Sequence, residues 1–169
     1  MTTPPAALLS TDVAGGTFLL REATSADLPD ILRLLADDRL GAGREDQADL
    51  APYLAAFTAI DADPAHHLVV GRFLGQDGSD TMAATCQLSM LPGLSRQGSW
   101  RAQIEAVRVA AELRSHGLGG IMIRWAIAES RRRGCTMVQL TTDKSRTDAQ
   151  RFYSRLGFTG SHLGMKLVF

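Results

Sequence analysis

The segment from Ile104 to Thr142 constrains the fold more than any other part of the chain. A β-branched run, IEAVRV, closes at Val109 and leads through AAELRSHGLGG into an amphipathic stretch, IMIRWAIAESRRR. A second strand-like run, CTMVQLTT, comes after it. In the amphipathic stretch Leu118, Ile121, Met122, Trp125 and Ala126 recur at helical spacing, and Gly134 stands where a helix C-cap glycine belongs. Strand, helix and strand in this order can join parallel neighbours through a right-handed crossover.

The flanking elements are legible in the same way. TFLLREAT (17–24) is a short strand, and Ser25 and Asp27 are capping candidates for a helix with Ile31, Leu32, Leu34 and Leu35 on one side. A polar loop (37–47) separates it from a helix over about 48–60 carrying Leu50, Tyr53, Leu54 and Phe57, which Asp61 to Pro64 stops. HLVVGRFL (67–74), TMAATCQLSML (81–91) and SWRAQIEAVRV (99–109) are strands, and the turn Gly75-Gln-Asp-Gly78 makes an antiparallel meander the simplest arrangement. After the crossover come a short helix (148–157) and an expected strand pair within 158–169. The fold class is α/β, with a mixed, mostly antiparallel central sheet of about six to seven strands flanked by about four helices. Residues 1–16 are expected to be a flexible tail and 17–169 a single domain, a size that permits a substantial core.

Charge narrows the functional classes. Eighteen basic residues balance eighteen acidic ones, so no long-range field favours nucleic acid or an anionic membrane. The run Arg131-Arg132-Arg133 closes a helix, where cations offset the negative end of its dipole. Cys86 and Cys135 are too few for a disulfide framework and sit in strand-like runs as small core residues. The first sixteen residues lack the basic and apolar regions of a signal peptide, and no window is apolar enough to span a membrane, so a cytoplasmic location is expected. His66 and His67 are adjacent and face opposite sides of a strand, which is poor geometry for a metal pair, and no metal is expected.

The glycines of RSHGLGG sit at the mouth of the long helix. They let the backbone turn and approach a ligand closely, and the first helical N–H groups are unpaired at the positive end of the dipole. Amides from Ser115 to Gly120 can therefore wrap a phosphate or diphosphate. A plain helix start that uses glycine for close packing is an equal alternative on the glycines alone. A Walker A loop is excluded, because the two lysines are Lys144 and Lys166. A dinucleotide fingerprint fails because Gly117-Leu-Gly119 lacks a third glycine at the required spacing.

The succession IEAVRVAAELRSHGLGGIMIRWAIAESRRRGC, VQLTTD and AQRFYSRLGF resembles the GCN5-related N-acetyltransferase (GNAT) family. That family reads Arg/Gln-x-x-Gly-x-Gly/Ala at its coenzyme A loop and keeps an FY-x-x-x-GF segment downstream. The likeness covers about residues 100–160; the earlier residues agree in element order. It implies transfer of an acetyl group from acetyl-CoA to a primary amine of a small molecule, by direct attack in a ternary complex. It assigns the diphosphate to Arg114, Ser115, His116, Gly117, Leu118, Gly119 and Gly120. The pantetheine arm falls to the backbone of Val107, Arg108 and Val109, along an edge left free by splaying from CTMVQLTT. Either valine's N–H can polarise the thioester carbonyl. Glu105 becomes the water-relayed base, with partial burial expected to raise its pKa, and Tyr153 the acid to the departing thiolate. Ser115 replaces a common glycine, and Asp143 stands where many relatives carry asparagine for a coenzyme contact. A shorter likeness of TTDKSRTDAQRFYSRLGF and Ser161-His162 to aminoalkylphosphonate acetyltransferases makes His162 and the arginines of that stretch, Arg146, Arg151 and Arg155, candidate acceptor contacts. The family admits homodimers. A coenzyme-A-binding sensor or interaction domain without turnover is the alternative.

Overall fold

A computed structural model of the protein describes residues 5–37, 43, 45–114 and 116–169. Its centre is a six-stranded sheet whose strands lie in chain order. They are β1 (Ala7–Val13), β2 (Gly16–Glu22), β3 (His66–Gly75), β4 (Asp80–Leu91), β5 (Trp100–Val109) and β6 (Cys135–Leu140). Every neighbouring pair from β1 to β5 is antiparallel, and β5 and β6 are parallel. The helices are α1 (Leu28–Ala36), α2 (Ala51–Asp61), α3 (Ser95–Gly98), α4 (Leu118–Arg132) and α5 (Thr147–Arg155). The short α3 is one turn with left-handed backbone at Arg96 and Gln97.

Alternation along the strands assigns the two faces of the sheet. On one face Phe18, Leu20, Val69, Ala84 and Cys86 pack against Leu118 and Met122 of α4. The layer continues as Leu88, Met90, Ala102 and Ile104 against Ile123, Ala126 and Cys135. On the other face Val70 and Met82 meet Ile31 and Leu34 of α1, with Phe57 of α2 at the margin. Both cysteines are free and buried. Gly134, with φ of +80°, ends α4 where the sequence placed its C-cap.

Thr24, not Ser25, caps the entry to α1. The Asp27 carboxylate accepts hydrogen bonds from the Thr24 N–H (2.7 Å) and hydroxyl (2.9 Å). The two Nη groups of Arg21 donate to it at 2.7 Å each. Burial by itself raises the pKa of this carboxyl, but the Arg21 and Thr24 hydrogen bonds outweigh burial and hold it below the usual carboxylate range.

Two expectations are corrected. The flexible tail assigned to 1–16 contains β1, because Ala7–Val13 pair in antiparallel register with β2 across a turn at Gly15. Composition signals no strand in a stretch that opens on Thr-Thr-Pro-Pro, yet the edge of β2 supplies a partner for Ala7–Val13. The strand pair expected within 158–169 is absent: residues 159–169 form no strand and are exposed. The loop expected at 37–47 lies largely outside the described residues.

Candidate active site

Strand β5 is interrupted by a bulge. Gln87 of β4 faces Glu105 and Thr85 faces Arg108, so Ala106 and Val107 together oppose Cys86. Ala106 has φ of +52°, a left-handed conformation that costs a residue with a Cβ about 1–2 kcal/mol. The extra residue bends the strand and re-aims the side chains beyond it. Pairing with β6 ends at Ile104↔Leu140, the residue before the bulge region. From Glu105 to Val109 the strand continues with β4 on one side and, among the described residues, no strand on the other. The β5–β6 pairing thus stops before the segment for which the resemblance implies a free edge. Along this segment the Arg108 guanidinium donates to the Val107 carbonyl at 2.9 Å and the Arg114 Nε to the Val109 carbonyl at 3.2 Å.

The open edge leads to the head of α4. A 3₁₀ turn, Ala111–Leu113, is followed by Arg114 in extended conformation and by Gly117 at φ +78°, ψ 0°. Nothing lies within 4 Å of where a Cβ on Gly117 would project, so the backbone angle is what demands glycine there. Gly119 differs: a Cβ there would stand 3.2 Å from Val109 Cγ2 and 3.6 Å from Phe152 Cζ, so the helix packs tightly on β5 and α5. Glycine thus serves a left-handed turn at Gly117 and close packing at Gly119. Among the described residues no side chain caps the start of α4, and no acidic residue lies in its first turn. Its leading amides keep their donor capacity and their positive dipole end. Arg114 also pairs with the Asp37 carboxylate at 3.5 Å, and His116 Nδ1 lies 3.2 Å from the Arg114 carbonyl. Ser115 lies outside the described residues.

Helix α5 carries Tyr153, which packs in the same cluster as Val107 of the bulge. Its ring packs edge-on to Phe152 (centroids 5.1 Å) and Phe158 (5.8 Å), within the cluster that includes Leu88 and Ile104. Burial raises the phenol pKa and nearby Cys86 adds to the effect; the charges of Arg146 and Arg108 oppose it. The hydroxyl therefore keeps its proton at neutral pH. The Cys86 thiol is pushed up to about 12, first by burial and then by Glu22, and is inert as a nucleophile.

The remaining candidates divide. Glu105 is exposed at the start of the bulge, so the partial burial expected of it is not found. The reason is local: β6 stops beside Ile104, and among the described residues no strand pairs with β5 on that side beyond it. Asp143 accepts from the Ser145 N–H (2.9 Å) and hydroxyl (2.6 Å), a turn before α5 that employs this carboxylate locally. His162 is exposed in the extended segment after α5, with Ser161 Oγ 2.8 Å from its Nδ1, and the strands expected to carry it are missing. His66 Nδ1 meets Ser89 Oγ at 2.8 Å and His67 Nδ1 meets Glu22 at 2.6 Å, so the two imidazoles have separate partners. Among the described residues no group of three His, Cys, Asp or Glu is arranged to hold a metal ion. Sequence reasoning missed Ala106, because nothing in its neighbours announces a positive φ. Arg146, one of the arginines raised from sequence, acts by its charge on the Tyr153 phenol.

A model of the Acetyltransferase (GNAT) family matches residues 28–158. The chain is 27% identical over 143 residues to the aminoalkylphosphonate N-acetyltransferase of Salmonella typhimurium strain LT2, covering 85% of this chain and 86% of that protein. A crystal structure described as a transcriptional regulator from Bacillus halodurans C-125 is similar at a TM-score of 0.83 and 41% identity, over 90% of this chain and 99% of that one. A putative acetyltransferase from Agrobacterium tumefaciens C58 is similar at a TM-score of 0.75 and 27% identity, over 89% and 99% of the two chains.

Proposed function

The chain belongs to the GNAT acetyltransferase family, and we propose that it moves the acetyl group of acetyl-CoA to the primary amine of a small molecule, by direct attack in a ternary complex. One observation carries this reading: the β5–β6 pairing ends at Ile104, immediately before the bulge, and the edge so opened runs to an uncapped helix head. The donor set fits the coenzyme. Amides at the head of α4, from Gly117 to Gly120, suit a diphosphate, and the Arg108 and Arg114 side chains add positive charge beside the edge. The backbone of Val107, Arg108 and Val109 suits an amide-bearing arm. When bound, the coenzyme supplies a thioester activated toward amines.

An amine resembling lysine has a pKa near ~10.4, so freeing its lone pair at neutral pH costs about 4.6 kcal/mol. Glu105, exposed beside the bulge, relays that proton to water, a role worth about 10²–10⁴-fold. The N–H of Val107 or Val109 donates to the carbonyl oxygen as it gains charge. Tyr153 faces the departing thiolate. A thiol resembling cysteine has a pKa near ~8.5, below a phenol's ~10, and burial widens that gap. Full proton transfer from Tyr153 is therefore uphill, and hydrogen-bond donation to the developing charge is the role its pKa allows.

The Salmonella relative is named for aminoalkylphosphonates, which supports a small amine as acceptor. Acetyl-CoA as the donor supports a cytoplasmic location; among the described residues no helix is long and apolar enough to cross a membrane. The description of the 41% identical structure as a transcriptional regulator favours a second reading, a coenzyme-A-binding regulator without turnover. Calorimetry with acetyl-CoA, followed by thiol release across a panel of amines that includes an aminoalkylphosphonate, separates the two. Binding with release on one amine is expected. Binding without release on any amine selects the regulator, and no binding refutes both.

A further inference from the structure

Strand β4 changes character halfway along. From Met82 to Cys86 every residue is buried, the pattern of a strand covered on both faces, and from Gln87 onward polar and apolar residues alternate. The change falls where the helical cover ends: Ile31 and Leu34 of α1 and Phe57 of α2 pack with Val70, Met82 and Leu68. Beyond that cover, the sheet face that carries Glu105 is built from polar side chains. Register sets His66 beside Ser89, Ser89 beside Gln103 and Gln103 beside Gln139, one row across β3, β4, β5 and β6. Gln87 stands beside Glu105 in the next row. Strand alternation puts Gln103 and Glu105 on the same face, two residues or about 7 Å apart.

The row is bonded within itself and still has capacity to spare. Gln139 Nε2 donates to Gln103 Oε1 at 2.7 Å, His66 Nδ1 lies 2.8 Å from Ser89 Oγ, and Gln87 Nε2 donates to the same hydroxyl at 3.5 Å. Two amides joined by one hydrogen bond keep one NH₂ group and one carbonyl oxygen over, whichever way each is turned. Here those are the Gln103 nitrogen and the Gln139 oxygen, both on half-buried side chains. A donor and an acceptor side by side suit a hydroxyl group, which both donates and accepts. They suit an anion poorly, because the amide oxygen turns a lone pair toward it. Arg101 shares this face at twice the distance from Glu105, and its Nη1 sits by the β4–β5 connection, 3.6 Å from where a Cβ on Gly93 would stand. The floor next to Glu105 is therefore neutral and hydrogen-bonding.

We propose that the Gln103–Gln139 pair selects the acceptor, a primary amine on a hydroxylated body of hexosamine size, with its nitrogen beside Glu105 and a hydroxyl on the two amides. This rests on the acetyl-transfer reading above and names its acceptor class. The test measures thiol release from acetyl-CoA by the full chain with three amines. They are glucosamine, cyclohexylamine, which keeps a ring and an amine without hydroxyls, and 2-aminoethylphosphonate. Glucosamine is expected to exceed both others in kcat/KM by at least about 100-fold. Gln139→Leu should raise KM for glucosamine about 10-fold while kcat changes by less than about 2-fold. Calorimetry should find the acetyl-CoA affinity of that variant unchanged, which shows its fold intact. Cyclohexylamine used as well as glucosamine, a preference for 2-aminoethylphosphonate, or a KM indifferent to Gln139→Leu would each overturn the proposal and leave acetyl transfer standing. Glucosamine inert while other amines react refutes it equally. Acetyl-CoA binding with no release on any amine refutes the parent reading, and this one with it.

Discussion

Replacing Ala106 with glycine tests whether the bulge stores the strain its backbone angle indicates. In an ordinary strand, Ala→Gly costs about 0.5–1 kcal/mol through backbone entropy, plus up to about 0.8 kcal/mol for a buried methyl. Ala102, on the same strand and 0% exposed, has no positive φ, so Ala102→Gly should lose about 1.5 kcal/mol. Ala106 is half-buried, which halves the methyl contribution. Glycine also releases the left-handed penalty of about 1–2 kcal/mol. The two sides nearly cancel, so Ala106→Gly should lie within about 0.5 kcal/mol of wild type. Urea unfolding with a shared m-value measures both substitutions. In a thermal scan Ala102→Gly should lower Tm by about 3–6 °C and Ala106→Gly by less than about 2 °C. Equal losses at the two positions would show that Ala106 carries no left-handed strain, and the geometry derived for the site would fall with it.

Other consequences are open to direct measurement. Gly117→Glu places a carboxylate at the head of α4 and should abolish acetyl-CoA binding by calorimetry. Gly117→Ala, which shares the backbone penalty without the charge, should keep affinity within a few-fold while losing about 1 kcal/mol of stability. Tyr153→Phe should lower kcat by about 10-fold or more with little change in acetyl-CoA affinity, because a hydrogen bond to the departing sulfur acts only as charge develops; unchanged kcat removes Tyr153 from the chemistry. Asp27→Asn breaks a buried pair with Arg21 and should cost about 3 kcal/mol at pH 7. The Asp27 pKa is lowered in the folded state, so its stabilisation is present above the unfolded value near ~3.9 and fades as pH falls through the folded value. The wild-type advantage over Asp27→Asn should therefore shrink on acidification, and a gap independent of pH would refute the assignment.

Local pattern carried most of the architecture. The meander from β3 to β5, the crossover helix with Gly134 behind it and the parallel partner β6 all lie within a few residues of where hydrophobic period and turn residues put them. Those signals act between near neighbours in the chain, so a sequence displays them. The termini were misread for the converse reason. Ala7–Val13 is a strand because β2 offers it a partner, and 163–167 alternates apolar residues with Gly164 and Lys166 yet forms no strand.

The same division runs through the site. Gly117, Gly119 and Tyr153 could be named from sequence because their spacing along a loop and a helix is itself the signal. The left-handed angle at Ala106, the exposure of Glu105 and the charges around the Tyr153 phenol come from residues distant in the chain and close in space. The order of residues alone determined which segments could be strands and helices and that one helix would open on glycines. Only packing decided where β5 parts from β6, because a strand edge is free or filled according to what reaches it from elsewhere in the molecule.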